Sequence, residues 1–336
     1  MIFLISTLQY ELFEKRLLQT KRWIVGALFI GILILVSSPQ GLGIFTKISN
    51  HPAIALNEQI AENCKENDRV VQCRWDSEML QVAKKPTADG AYFCSYDGPG
   101  DVTALFTGNS FALRQIVGVK KALQKHYKKI YLAARPACLV FEDFNDSLDK
   151  QWQCDELYNK TAEFVAKLNP DFLIITQMLA GNPKFASPVT LEQARNDETT
   201  RILAEHLKVL SAYVKNIFII EPHPKFNYHP ASKLAQLLSQ DKPTDDVVQN
   251  YEDWKTQIDP AWNRLLAAME TCPKCVPIQI RDLFCQNDTC DLYEPETKLS
   301  LYCDAAHFSP HGVQRLVPIL REKFFEAIKN FVPQND

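Results

Sequence analysis

The sequence predicts an α/β domain built on a doubly wound parallel sheet and preceded by a transmembrane helix. Three observations carry that expectation. Beyond residue 100, short apolar runs alternate with stretches of helical periodicity, the pattern of repeated strand–helix–strand units. Two of the runs, Asp171–Met178 (DFLIITQM) and Asn216–Glu221 (NIFIIE), are apolar along almost their whole length, as strands covered on both faces are. Near the N-terminus, Trp23–Val36 carries no charge and follows four basic residues, Lys15, Arg16, Lys21 and Arg22.

Met1–Phe13 is apolar but interrupted by Gln9 and Glu11, too short and too polar to span a bilayer. Trp23–Val36 falls below the roughly 20 residues a spanning helix needs. The uncharged stretch continues to Phe45, so residues 23–45 form the expected span and residues 1–22 a cytoplasmic segment. By the positive-inside rule the C-terminal bulk is extracellular or lumenal. The core Ile24–Val36 also fits a cleaved signal peptide; the long apolar segment before it favours an uncleaved anchor. Residues 46–100, with three cysteines and Pro86, show poor periodicity and read as a disulfide-tied approach segment to a domain over 101–331.

In that domain Thr103–Phe106 is the first strand, and Leu113, Ile116, Val117, Leu123 and Tyr127 recur at helical spacing. Between them stands Thr107-Gly108-Asn109-Ser110, a turn signal because both Gly and Asn tolerate positive φ. Lys129–Ala134 is a second strand and Ser147–Leu168 a helix. Asp171–Met178 is a third strand, Leu191–Val214 one long helix, and Asn216–Glu221 a fourth strand. Asp246–Thr271 is helical with Pro260 as a break point. Val276–Leu283 is a fifth strand, and Ser309–Phe331 the closing helix, with Ser309 as its cap and Pro310 at its first position.

The chain has 336 residues, 46% hydrophobic and 23% charged, with net charge −3, which gives no reason to expect nucleic acid as a partner. Ten cysteines lie between Cys64 and Cys303, an even number that points to disulfides and an oxidising compartment. Sequons at Asn145, Asn159 and Asn287 fall in the same region and agree with it. Cys138 and Cys154 bracket a compact loop and are candidates to pair; the other connectivities are open. Cys272-Pro-Lys-Cys275 reads as a structural pair more readily than as a redox or metal site, since no second Cys-x-x-Cys or paired histidines stand near it.

Two stretches carry chemistry. Ser110 lies between the carboxyl end of a strand and the first turn of a helix, where α/β sheets bind ligands and where backbone N–H groups lack intrahelical partners. Its plain alternative is a helix cap. Asp304-Ala-Ala-His307 lies on the loop before the last helix, where the carboxylate can fix the tautomer of the imidazole and leave its other nitrogen to take a serine proton. For His307 the plain alternative is a surface loop histidine. Both stretches fall at the carboxyl edge of the sheet and can therefore converge. Glu221-Pro-His223-Pro follows the fourth strand at the same edge, with His223 either lining the cleft or ordering a loop.

In Gly108-Asn109-Ser110 and Asp304-x-x-His307 the chain resembles the SGNH hydrolase superfamily of esterases and acetyl transferases, which usually has Gly-Asp-Ser at the first site. The resemblance implies a flavodoxin-like sheet, Ser110 as nucleophile, His307 as general base and then acid, and Asp304 as its orienting partner, with no cofactor and no metal. It also implies oxyanion donors: the Ser110 N–H, a glycine after the second strand and an asparagine after the third. Gly108 and Asn182 are the candidates here, because Ala133-Ala134-Arg135-Pro136 replaces the glycine. Ile5–Leu18, with its aromatic-Glu-Lys step Phe13-Glu14-Lys15, is similar to the end of the last shared membrane helix of type 3 acyltransferases. The chain thus resembles the C-terminal portion of such a protein, with most of the membrane domain missing. The expected partners are an acyl ester or acyl acceptor, carbohydrate by resemblance, and membrane lipid around residues 23–45. A lumenal binding or structural domain that has lost turnover is the alternative.

Overall fold

The computed structural model describes residues 51–64, 70, 72–86, 90–144, 152, 154 and 157–331. The expected membrane span at 23–45, the segment before it and the sequon at Asn145 lie outside the described residues. Among the described residues no helix is long and apolar enough to cross a membrane. The chain divides into two compact units, and the larger, residues 52–237 and 243–336, holds the sheet and the site.

The helices and strands are α1 (Ala53–Glu62), β1 (Arg74–Trp75), α2 (Met79–Val82), β2 (Tyr92–Asp97), β3 (Val102–Gly108), α3 (Ser110–Leu123), β4 (Tyr127–Ala134), α4 (Tyr158–Leu168), β5 (Phe172–Thr176), α5 (Leu191–Ala194), α6 (Glu198–Ser211), β6 (Asn216–Ile220), α7 (Pro230–Ser239), β7 (Val248–Asn250), α8 (Tyr251–Met269), β8 (Cys275–Ile278), β9 (Cys285–Gln286), β10 (Thr289–Asp291) and α9 (Pro310–Phe331). The main sheet has the order β1-β2-β4-β3-β5-β6-β8, and β7, β10 and β9 form a small antiparallel sheet. From β4 to β8 every neighbouring pair is parallel. In order of appearance those strands run 2-1-3-4-5, the flavodoxin-like winding. Because the crossover β3→β4 and the crossover β4→β5 travel in opposite directions, right-handed connection sends α3 and α4 to opposite faces. Accordingly α3 packs with α9, while α4, α6 and α8 form the other layer.

The core is apolar along β5 and β6, where Phe172, Leu173, Ile174 and Ile175, then Ile217, Phe218, Ile219 and Ile220, are all buried. Four details depart from the sequence expectation. Strand β2 pairs antiparallel with β4 and extends the sheet into the stretch read as an approach segment. The helix expected over Leu191–Val214 is two, because Asp197 accepts from the Thr199 and Thr200 N–H groups and starts α6 afresh. Helix α8 begins at Tyr251 and continues through Pro260 without a break. The fifth strand stops at Ile278, since the Glu221 carboxylate takes the Ile280 and Arg281 N–H groups and bends the chain into a 3₁₀ turn at Arg281–Leu283.

Candidate active site

The turn after β3 is fixed by its sequence. Gly108 has φ +153°, and a Cβ there would lie 1.7 Å from the Thr176 carbonyl oxygen, so only glycine fits. The buried Asn109 caps α3: its Oδ1 accepts from the Phe111 N–H at 3.1 Å and from the Met178 N–H at 3.2 Å, while Nδ2 donates to the Met178 carbonyl at 3.3 Å. One side chain thus pins the turn after β3 to the end of β5. Because Asn109 is the cap, the Ser110 hydroxyl is not spent on that task.

That hydroxyl meets His307. Ser110 Oγ lies 2.7 Å from His307 Nε2, and His307 Nδ1 lies 2.8 Å and 3.0 Å from the two Asp304 carboxylate oxygens. Asp304 Oδ1 also accepts from the Ala306 and His307 N–H groups, each at 2.8 Å. Burial alone would push its carboxyl up. The His307 ring and the two backbone donors outweigh that and hold it well below the usual carboxylate range. The loop is closed by Cys303 N–H donating to the His307 carbonyl at 2.9 Å, and Ser309 Oγ caps α9 by accepting from the His311 and Gly312 N–H groups. All three residues are partly buried, so a substrate has access to them.

Beneath the pair lies His223, fully buried and ring-stacked on Phe111 at 4.0 Å and 9°. Phe111 in turn presents an edge to His307 at 5.9 Å, and Phe308 lies 3.9 Å from His223. Burial pushes the His223 imidazole down to about 3, so a neutral aromatic ring, not a second cation, sits behind the base. The neighbouring Glu221 is also buried, and burial pushes it up. Arg281 binds it at 2.9 Å and extends to Asp259 at 2.5 Å.

The two oxyanion candidates do other work. Gly108 pairs with Ala134 and Thr176 and its carbonyl accepts from the Arg135 N–H, so its backbone belongs to the sheet and its contribution is steric. Asn182 caps the 3₁₀ turn Pro183–Phe185, its Oδ1 accepting from the Lys184 N–H and its Nδ2 donating to the Phe144 carbonyl at 2.7 Å. Those bonds direct it to the Phe144 loop. Among the described residues no acceptor takes the Ser110 N–H, which stands in the first turn of α3.

The ten cysteines form five disulfides: Cys64–Cys303, Cys73–Cys94, Cys138–Cys154, Cys272–Cys275 and Cys285–Cys290. Asn287 is exposed at the tip between Cys285 and Cys290, and Asn159 stands in the first turn of α4. Sequence reasoning missed Asn57, fully buried in α1, whose Nδ2 donates to the Lys298 carbonyl at 2.7 Å and whose Oδ1 accepts from the Ser300 N–H at 2.9 Å. Nothing in its local pattern marks it, because its partners stand more than 240 residues away.

The family model described as the SGNH domain (fused to AT3 domains) matches residues 72–322. No curated protein matches the chain. Among solved structures, the periplasmic domain of the lipopolysaccharide acetyltransferase of Salmonella ser. Paratyphi A is similar, with TM-score 0.53 and 14% identity over 82% of this chain and 98% of that one. The C-terminal catalytic domain of Streptococcus pneumoniae peptidoglycan O-acetyltransferase A matches with TM-score 0.34 and 12% identity, over 69% of this chain and 95% of that one. The acetylxylan esterase Axe2 of Geobacillus stearothermophilus matches with TM-score 0.31 and 14% identity, over 70% and 97%. At 14% identity the likeness to the Salmonella domain speaks to the fold alone.

Proposed function

This chain belongs to the SGNH domains that are fused to AT3 domains, and from that premise we propose that it is a serine-dependent O-acyl esterase or acyltransferase working through Ser110, His307 and Asp304. The observation that carries the reading is the unbroken line of hydrogen bonds from the Ser110 hydroxyl through the imidazole to the Asp304 carboxylate. Ser110 Oγ attacks the ester carbonyl while His307 Nε2 takes its proton. The imidazolium, held by Asp304 through Nδ1, returns that proton to the departing alcohol oxygen as the tetrahedral intermediate collapses to an acyl-serine. Water or a second alcohol, deprotonated by the same nitrogen, then resolves the acyl-enzyme. Hydrolysis and transfer therefore differ only in which hydroxyl enters.

The oxyanion is met by the Ser110 N–H at the positive end of α3, one donor of the set that such an intermediate needs. The acceptor or leaving group is a carbohydrate hydroxyl, and the chain works outside the cytosol, anchored by residues 23–45 with residues 1–22 cytoplasmic. The five disulfides and the exposed Asn287 sequon support that compartment. The test is acetate release from an aryl acetate by the 336-residue chain, which Ser110→Ala abolishes; equal rates in both proteins overturn the serine nucleophile. A second reading, a binding domain without turnover, is favoured by one observation: the Asn182 amide is bonded to Phe144 and not held for an oxyanion. A fluorophosphonate separates the two, since only the enzyme reacts at Ser110.

A further inference from the structure

A cleft of about 490 Å³ opens at the carboxyl edge of the sheet. One wall is Leu179–Gly181, directly after Met178, which Asn109 holds beside Ser110. A second is Lys225–Asn227, where the Phe226 N–H donates to the carbonyl of Ala305, inside the Asp304–His307 loop, at 2.7 Å. Both walls are thus bonded to the turns that carry the triad. The third wall is α8, from Thr256 to Ala261. The volume falls within the range of about 300–1,000 Å³ usual for small-ligand sites.

The lining has a definite chemistry. Phe185, Phe226 and Pro260 form the apolar side of the cleft as largely buried residues, and Asn227 and the Gln257 N–H₂ offer amide groups at the rim. Proline has no N–H, so Pro260 leaves the Thr256 carbonyl without its helical donor, and the exposed Thr256 side chain adds a hydroxyl to the α8 wall. Lys225 is the only formally charged residue in the lining. It is exposed, its backbone N–H is pinned by Gln257 Oε1 at 3.1 Å, and its ammonium has no ion pair among the described residues.

We infer that this cleft is the subsite for the sugar portion of the ester or acceptor, and that it selects a saccharide carrying a carboxylate or phosphate, which Lys225 reads as a point charge. The inference rests on the catalytic reading only for the location of the reacting hydroxyl. Ring hydroxyls pair with the amides and the Thr256 hydroxyl, a C–H face of the ring lies against the apolar side of the cleft, and the acid group meets Lys225.

The experiment is binding to the 336-residue chain carrying Ser110→Ala, so that no turnover is needed. The probes are a glucose disaccharide, the same disaccharide ending in glucuronic acid, and its phosphorylated form. The acidic probes are expected to bind about three- to five-fold tighter than the neutral one, the scale of a rim ion pair. Added Lys225→Gln erases that preference, and salt erodes it. Ala180→Trp, filling the cleft, weakens all three. The tighter of the two acids identifies the group that is read. No binding by any probe, equal affinity for neutral and acidic probes, or a preference that survives Lys225→Gln overturns the assignment. A chain that binds in this way while its native Ser110 ignores a fluorophosphonate leaves the subsite standing and removes the catalysis.

Discussion

The disulfide from Cys64 closes on Cys303, the residue immediately before Asp304, so the segment that follows α1 is covalently joined to the loop of the acid–base pair. Asn57 strengthens the same junction by bonding both ends of its amide to Lys298 and Ser300. A link across 239 residues constrains the unfolded chain strongly. Replacing both cysteines by serine is expected to cost about 2–4 kcal/mol of stability. It should also slow fluorophosphonate labelling of the molecules that remain folded, because Asp304 and His307 lose their anchor. Denaturant unfolding and labelling rate measure the two effects separately.

Asp304→Asn keeps the shape of the loop and removes the charge that fixes the His307 tautomer. The amide offers its N–H₂ or its oxygen to Nδ1 with no negative charge to hold an imidazolium. Turnover of an aryl acetate is expected to fall by about ten-thousand-fold, the scale of the corresponding change in serine proteases, with KM nearly constant. A loss under ten-fold would remove Asp304 from the mechanism.

Asn109 makes three hydrogen bonds with one amide. Asn109→Ala is expected to destabilise the chain by about 2 kcal/mol, the upper end of the range for a lost cap. Asn109→Asp retains both acceptor bonds and places a negative charge at a helix N-terminus, which offsets part of the lost Nδ2 donation to the Met178 carbonyl, so it should lose less than Asn109→Ala. Urea unfolding of the two variants checks the order.

His223 gives stability a pH dependence of known sign. Its folded value, about 3, lies below the 6.5 of an ordinary histidine. Between those values the unfolded chain binds a proton that the folded chain refuses, so stability falls as pH drops through that window. At pH 5 the loss is about 2 kcal/mol. Asp304 acts in the same sense but in a lower window: its stabilisation is present above the usual carboxylate value and is lost only as pH falls from there towards its own depressed value. Between pH 7 and pH 5 it contributes no change. His223→Phe, which keeps the stack on Phe111, should therefore lose about 2 kcal/mol less than the native chain on that acidification. Equal losses in urea unfolding contradict the assignment.

Much of this site was legible in the sequence because its signals are local. Gly-Asn-Ser between a strand and a helix, and Asp-x-x-His before Ser-Pro, each describe a turn whose chemistry lies within a few residues. Strands β5 and β6 were legible because burial on both faces leaves an uninterrupted apolar run. What escaped depends on distant partners. Tyr92–Asp97 looks like loop until β4 pairs with it. Asp197 splits a periodic helix, and its carboxylate is held by the buried Arg264 of α8 at 2.9 Å. Pro260 stays inside its helix, and its own carbonyl accepts from Arg264. Asn182 resembled an oxyanion donor by position, and only the three-dimensional path of the Phe144 loop gives its amide another partner.

The central claim is that the Ser110 hydroxyl is a nucleophile primed by His307, and site-mapped phosphonylation tests it most directly. The native chain, treated with a fluorophosphonate and digested, is predicted to carry one adduct, on Ser110, that disappears when the protein is unfolded first or when His307 is replaced by alanine. An unmodified Ser110, or an adduct formed equally fast without His307, would contradict it.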